Sequence, residues 1–221
     1  MKVIKKWDSL REFFNVLNKN VEYVVLRNYE EFLEGEFNVA HPDIDILCRD
    51  SKELIHFAES TTRTGNSKDL IHQQIMIGEK TVALDVRHVG DGYYDDLWEE
   101  NMLNNRRIIN NLCYVLDKEN YYYSLLYHAL IQKKSLSNDY KIRLEAMANR
   151  LFDEIKYPPS SLEMLQNYMK EMNYHFTYPD FLGGIANFAE VDKKLIKADR
   201  TRCFRKFIFL LNRKINKIIN K

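Results

Sequence analysis

Several things that would place this chain quickly are scarce in it. There are three cysteines, Cys48, Cys113 and Cys203, an odd and widely spaced set with no CxxC pair. That excludes a disulfide framework and a thiolate zinc site, and it fits a reducing compartment. Only seven glycines and four prolines punctuate 221 residues, so long flexible linkers are not expected. No apolar run approaches the roughly 20 residues that cross a bilayer. The opening MKVIKKWDSLREFF lacks the apolar core of a signal peptide. Neither sign of charge prevails: Lys and Arg total 33, Asp and Glu 32, for a net +1. A global field that would draw the chain to long nucleic acid is therefore absent. A cytoplasmic protein is the expectation.

What the chain has in quantity is apolar and aromatic residues, 45% and 13%, enough for a folded core. Leu10, Phe13, Phe14 and Leu17 repeat at helical spacing behind a Ser9/Glu12 capping box, which predicts a helix over 8–19. Val21–Leu26 reads as a central strand, a second strand carries Asp43 and Asp45, and a helix capped by Asp50 or Ser51 runs to about Ser60. Ile71–Ile77 and Lys80–Val89, joined at Gly78-Glu79, predict an antiparallel hairpin. A helix over 95–105 and a short hairpin through Asn110-Asn111 follow. Beyond Asp117 the pattern is helical: 118–134, 138–156, 160–173 behind a Ser160/Glu163 capping box, and 188–220. The order of elements predicts an α+β protein, with a mixed or antiparallel sheet domain over 1–116 and an all-helical domain over 117–221.

The stretch that carries chemistry is Pro42-Asp43-Ile44-Asp45-Ile46-Leu47-Cys48. On a strand, Asp43 and Asp45 share one face and Ile44 and Ile46 the other. Paired carboxylates repel and are costly to desolvate, and a divalent cation with oxygen ligands relieves both costs. The alternative is a strand end whose two acids face water. A third acid, Asp85, stands alone within Val82-Ala83-Leu84-Asp85-Val86. If its strand neighbours the first, three carboxylates converge, enough for two ions about 3.5–4 Å apart.

Taken together, VVLRNYEE, HPDIDILCRD and VALDVRHVGDGYYDDLWEENML resemble the nucleotidyltransferase superfamily that includes DNA polymerase beta and the minimal nucleotidyltransferases. Within it they are similar to a group of uncharacterised bacterial nucleotidyltransferase-like proteins. The likeness spans roughly 21–105. It implies Mg²⁺ or Mn²⁺ held by Asp43, Asp45 and Asp85, and a nucleoside triphosphate as substrate, ATP among the candidates. It also implies transfer of the nucleotidyl group to an acceptor that is a small molecule, a sugar or a protein. One departure stands out. The superfamily has Gly-Gly or Gly-Ser after its first strand, where this chain has Arg27-Asn28. A guanidinium at Arg27 can hold phosphate bidentately, or it can close a strand-end ion pair.

Further nucleotide-binding candidates are Arg87, His128 and Lys133. Each has a plain alternative: neutralising the acids, a packed histidine, a solvated lysine. Asp95 and Asp96 read as helix caps, and Tyr121-Tyr122-Tyr123 as core. The final stretch from Arg200 to Lys221 holds eight Lys or Arg and no acid, with an apolar stripe from Phe204 to Ile219. It fits peripheral membrane contact, or a final helix that packs its stripe on the sheet domain or on another subunit. The alternatives to an enzyme are a catalytically silent module of the same fold that binds a nucleotide or a partner, and a structural or membrane-recruiting protein working through its helical half.

Overall fold

The computed structural model describes residues 6–33, 35, 37, 42–152, 157–179 and 186–199. Strands β1 (Lys6–Trp7), β2 (Tyr23–Arg27), β3 (Asp43–Cys48), β4 (Thr61–Thr62), β5 (His72–Ile77), β6 (Lys80–His88), β7 (Arg107–Ile109) and β8 (Cys113–Val115) form one mixed sheet. Its order is β1-β5-β6-β3-β2-β8-β7, with β4 on β5. Six helices are described: α1 (Leu10–Asn20), α2 (Ser51–Ala58), α3 (Asp96–Asn104), α4 (Lys118–Ile131), α5 (Asn138–Leu151) and α6 (Leu162–Glu171). The expected α+β class is what is seen, with β1, β4 and a 3₁₀ turn at Tyr29–Phe32 in addition. Among the described residues no helix is long and apolar enough to cross a membrane.

Local chemistry sets the element ends. Ser9 accepts from the Glu12 amide at 3.2 Å, and the Glu12 carboxylate reaches back one residue further than expected, to the Asp8 amide at 2.7 Å. Asp50 caps α2 through the Lys52 and Glu53 amides, and Asp95 caps α3 through Leu97. The cap of α6 is Ser161, not Ser160, because its hydroxyl meets the Met164 amide. The β5–β6 hairpin turns at Gly78-Glu79, with Ile77 opposite Lys80.

The sheet is dry on one face and half-open on the other. In β5 and β6, Gln73, Ile75, Ile77, Val82, Leu84 and Val86 are buried. The alternate positions Gln74, Met76, Ala83, Asp85 and Arg87 are half-exposed. β3 is central and buried on both faces except at Asp43, its first residue. α2 packs on β6, α3 on β2 and β3, and α4 on β2. One buried cluster runs from Phe13, Phe14 and Val25 in the first half to Tyr122, Leu126 and Leu165 in the second. Tyr121, Tyr122 and Tyr123 belong to it, Tyr123 lying flat on Tyr168 with ring centroids 3.6 Å apart.

The expected helix over 188–220 is not found in its described part. Residues 188–199 hold only a 3₁₀ turn, Lys193–Leu195. Phe176 bridges Ile196, donating to the Leu195 carbonyl at 2.7 Å and accepting from Lys197 at 2.9 Å. Backbone groups committed across the chain cannot also serve a helical ladder. The basic stretch over 200–221 and Cys203 lie outside the described residues.

Gly92 holds the loop after β6 against this segment. Its φ is +74°, and a Cβ there would stand 2.5 Å from the Tyr178 carbonyl oxygen. Thr177 also bonds the Gly92 carbonyl at 2.9 Å. Gly92→Ala is expected to destabilise the protein by about 1–3 kcal/mol. A fall in the urea midpoint checks it; an unchanged midpoint would mean that the loop shifts freely.

Candidate functional site

The pairing of β3 with β6 decides where the three acids stand. The two strands are parallel and in register, with Asp43 opposite Ala83 and Asp45 opposite Asp85. Paired residues share a face, so Asp43, Asp45 and Asp85 lie on the half-open side together. Their charges interact. Burial raises the pKa of Asp43 above the usual carboxylate range, and the negative charge of Asp45 raises it further. Burial likewise raises Asp85, with Asp45 adding to it and Arg63, His72 and Arg87 opposing.

A β-bulge brings Arg27 to this row. By strict alternation Leu26 would oppose Asp45. Between Val25 and Arg27 the register slips, and Arg27 becomes the partner of Asp45 instead. Its Nη2 donates to Asp45 Oδ1 at 2.8 Å and to the Tyr93 hydroxyl at 3.0 Å. The two charged side chains are only 11% and 10% exposed, so this is a buried pair. The expectation of a strand-end ion pair is thus what the structure contains. On the other acid, Arg63 of the loop after β4 closes an ion pair with Asp85 Oδ1. Each arginine takes one oxygen of its acid.

Arg87 follows Asp85 on the same face. Its guanidinium lies 4.2 Å from the centroid of the Tyr93 ring, and Asp91 pairs with it at 3.7 Å. His128 sits behind Tyr93, with Nδ1 2.9 Å from Gln132 Oε1 and 3.4 Å from the Tyr93 hydroxyl. Gln132 Nε2 donates to the Tyr93 carbonyl at 2.9 Å, which turns its oxygen to the histidine and makes Nδ1 the protonated nitrogen. Burial first, and then the Arg27 charge, lower the His128 pKa to about 2. It is a neutral positioning group in a chain running Asp45, Arg27, Tyr93, His128, Gln132.

Asn28 is placed differently. It adopts a left-handed conformation, φ 58° and ψ 16°, the backbone region that otherwise favours glycine. Its side-chain oxygen accepts from Arg143 at 3.1 Å. Lys133 is exposed just past the end of α4 and makes no ion pair with the described residues.

The structure therefore assembles Asp43, Asp45, Asp85, Arg27, Arg87 and His128 around Tyr93. It leaves Lys133 at the rim and turns Asn28 toward α5. Sequence reasoning missed Arg63, Tyr93 and Arg143. Arg63 sits in a loop with no periodicity to mark it. Tyr93 follows Gly90-Asp91-Gly92, where an aromatic after a turn was the available signal. Among the described residues no group of three His, Cys, Asp or Glu side chains is arranged to hold a metal ion. No family model, curated protein or solved structure matches this chain.

The buried histidine has a measurable consequence. Its folded pKa lies far below the unfolded value of about 6.5, so the unfolded chain binds the extra proton. Stability through this group is complete above pH 6.5 or so and falls as pH drops below it, by up to about 1.4 kcal/mol per pH unit. Asp43 and Asp85, being raised, act in the opposite sense. The comparison with His128→Gln isolates the histidine. Urea unfolding from pH 7 down to about 4 should show a shallower loss in the variant; equal slopes would mean that His128 is charged in the fold.

Proposed function

We propose that the chain is a metal-dependent nucleotidyltransferase. It would transfer an NMP group from a nucleoside triphosphate to an acceptor oxygen and release pyrophosphate. The observation that carries this reading is the in-register row of three carboxylates on the half-open face of β3 and β6. Two of the three have raised pKa values, through burial first and the neighbouring Asp45 charge second.

The donors are all carboxylate oxygen, the kind that hard divalent ions such as Mg²⁺ or Mn²⁺ take, although as they stand the three are not arranged to hold one. Asp43, Asp45 and Asp85 would hold them. Bound there, such ions supply positive charge to the triphosphate and acidify the attacking hydroxyl. The chain's own groups do the rest. Asp43 makes no ion pair with the described residues, and its carboxylate meets its own backbone amide. Asp45 and Asp85 keep Oδ2 clear of other hydrogen bonds within the described chain while Oδ1 faces an arginine. Arg63, about a third exposed, can swing out and release Asp85. Asp85 would then take the acceptor proton as the new bond to the α-phosphorus forms and the bond to pyrophosphate breaks. Arg27 and Arg87, fixed by Tyr93, would lie ready for phosphate oxygens. His128 and Gln132 orient Tyr93 and do not touch substrate.

A second reading rests on a specific observation. The buried Arg27–Asp45 pair sets a permanent cation where an ion would bind, as suits a catalytically silent module of the same fold. One experiment separates the two. Mn²⁺ or Mg²⁺ is titrated with each NTP while the melting temperature and pyrophosphate release are followed. The enzyme reading expects joint stabilisation by metal and NTP, with pyrophosphate released, and loss of both in Asp43→Asn. Stabilisation by NTP without metal dependence or pyrophosphate would favour the silent module. In addition, Arg63→Ala should tighten Mn²⁺ binding by about threefold or more, because it removes the cation competing for Asp85. Unchanged or weaker Mn²⁺ binding would exclude Asp85 as a ligand.

A further inference from the structure

Beside the Tyr29–Phe32 turn lies a cavity of about 420 Å³, a size suited to a small organic molecule. One face of α5 forms much of its wall. Arg143, Ala146, Met147, Arg150 and Leu151 fall at i, i+3, i+4, i+7 and i+8. The adjoining face of that helix goes into the core through Leu144 and Ala148. Arg107 from β7 and Lys118 from α4 complete the ring of charge. Among the described lining residues four cations face a single carboxylate, Glu30, so the net charge is 4 − 1 = +3. The whole chain carries +1. Positive charge is in local excess at this cavity.

Within the described residues these cations make one ion pair, Arg143 with Glu30. Arg150 and Lys118 are exposed and pair with no carboxylate of the described chain. Arg107 reaches the Leu116 carbonyl at 3.4 Å and the Tyr29 hydroxyl. Glu30 is shared, accepting from the Tyr121 hydroxyl at 3.0 Å, with Arg143 at 4.0 Å. Like charges around one cavity repel, and a dianion between them removes that cost. Met147 and Leu151 add an apolar wall beside the charges, which suits a carbon skeleton.

We propose that this cavity binds a small organic phosphate, its phosphate among Arg107, Lys118, Arg143 and Arg150 and its carbon skeleton on Met147 and Leu151. The cavity is coupled to the carboxylate row. Arg143 holds Asn28, the next residue is Arg27 on Asp45, and Asp43 raises the pKa of Glu31 after burial does. Resting on the nucleotidyl-transfer reading, the bound phosphate compound is the acceptor.

Isothermal calorimetry on the full chain in EDTA and low salt tests it, with inorganic phosphate and ribose 5-phosphate as probes. Ribose 5-phosphate should bind saturably and more tightly than inorganic phosphate. The double variant Lys118→Glu with Arg150→Glu, both on exposed positions, should weaken it about tenfold or more. Lys52→Glu on α2, a charge reversal elsewhere, should leave it unchanged, and so should Asp43→Asn. The proposal is overturned if neither probe saturates. It is overturned equally if the double variant binds as the parent does, or if Asp43→Asn abolishes binding, which would put the probe at the carboxylates. Since no metal or NTP is present, a failed transfer assay leaves this result standing, and the reverse also holds.

Discussion

The structure turns on a buried charge pair. Arg27 and Asp45 face each other in the middle of a sheet, nearly shielded from water. Neither charge is tolerable there alone. Withdrawing one from a pair of this kind typically costs about 3–5 kcal/mol, because the other is left uncompensated. The pair therefore fixes everything that touches it. It ties β2 to β3, and through the Tyr93 hydroxyl it ties both to the loop after β6. Through His128 and Gln132 that loop is bonded to the first helix of the second half. The acids and the helical half are held in one frame by five side chains, not by hydrophobic packing alone.

Charge around the open face is arranged by unequal mobility. Arg27 is locked by burial and two hydrogen bonds. Arg87 is held on an aromatic ring and by Asp91. Arg63 arrives from an irregular loop and is a third exposed. A face that must exchange its counter-charge for another ligand needs some cations that stay and at least one that leaves. Asp43, at the first residue of its strand and half-open, is the point of least obstruction.

The sequence made the strands and their faces legible where alternation was clean. From Ile75 in β5 through Val86 in β6 the buried positions are apolar and alternate, and the burial follows that pattern. The placement of Asp43, Asp45 and Asp85 on one side follows from the same parity. Which strand lies beside which is long-range information that parity does not contain. The parallel match of Asp45 with Asp85 emerges only from the fold. Arg27 was singled out for its chemistry, yet its parity puts it on the wrong side, and a bulge is invisible to period counting. Asn28 stands where the superfamily that the chain resembles has glycine or serine. Its backbone nonetheless adopts the left-handed region, which asparagine enters more easily than other non-glycine residues. Over 188–199 helical spacing misled, because Phe176 claims that backbone.

The slip at Leu26 divides β2 into two parts with separate duties. Tyr23, Val24 and Val25 keep one phase and fill the interior, while Arg27 keeps the other and faces the acids. Unbroken pairing would set Leu26 opposite Asp45 and carry Arg27 on to Ile44. The extra residue thus works as a phase shifter. Substitutions in the core half of the strand and in the cleft half can be accepted independently, whereas a change in length at that point is felt by both.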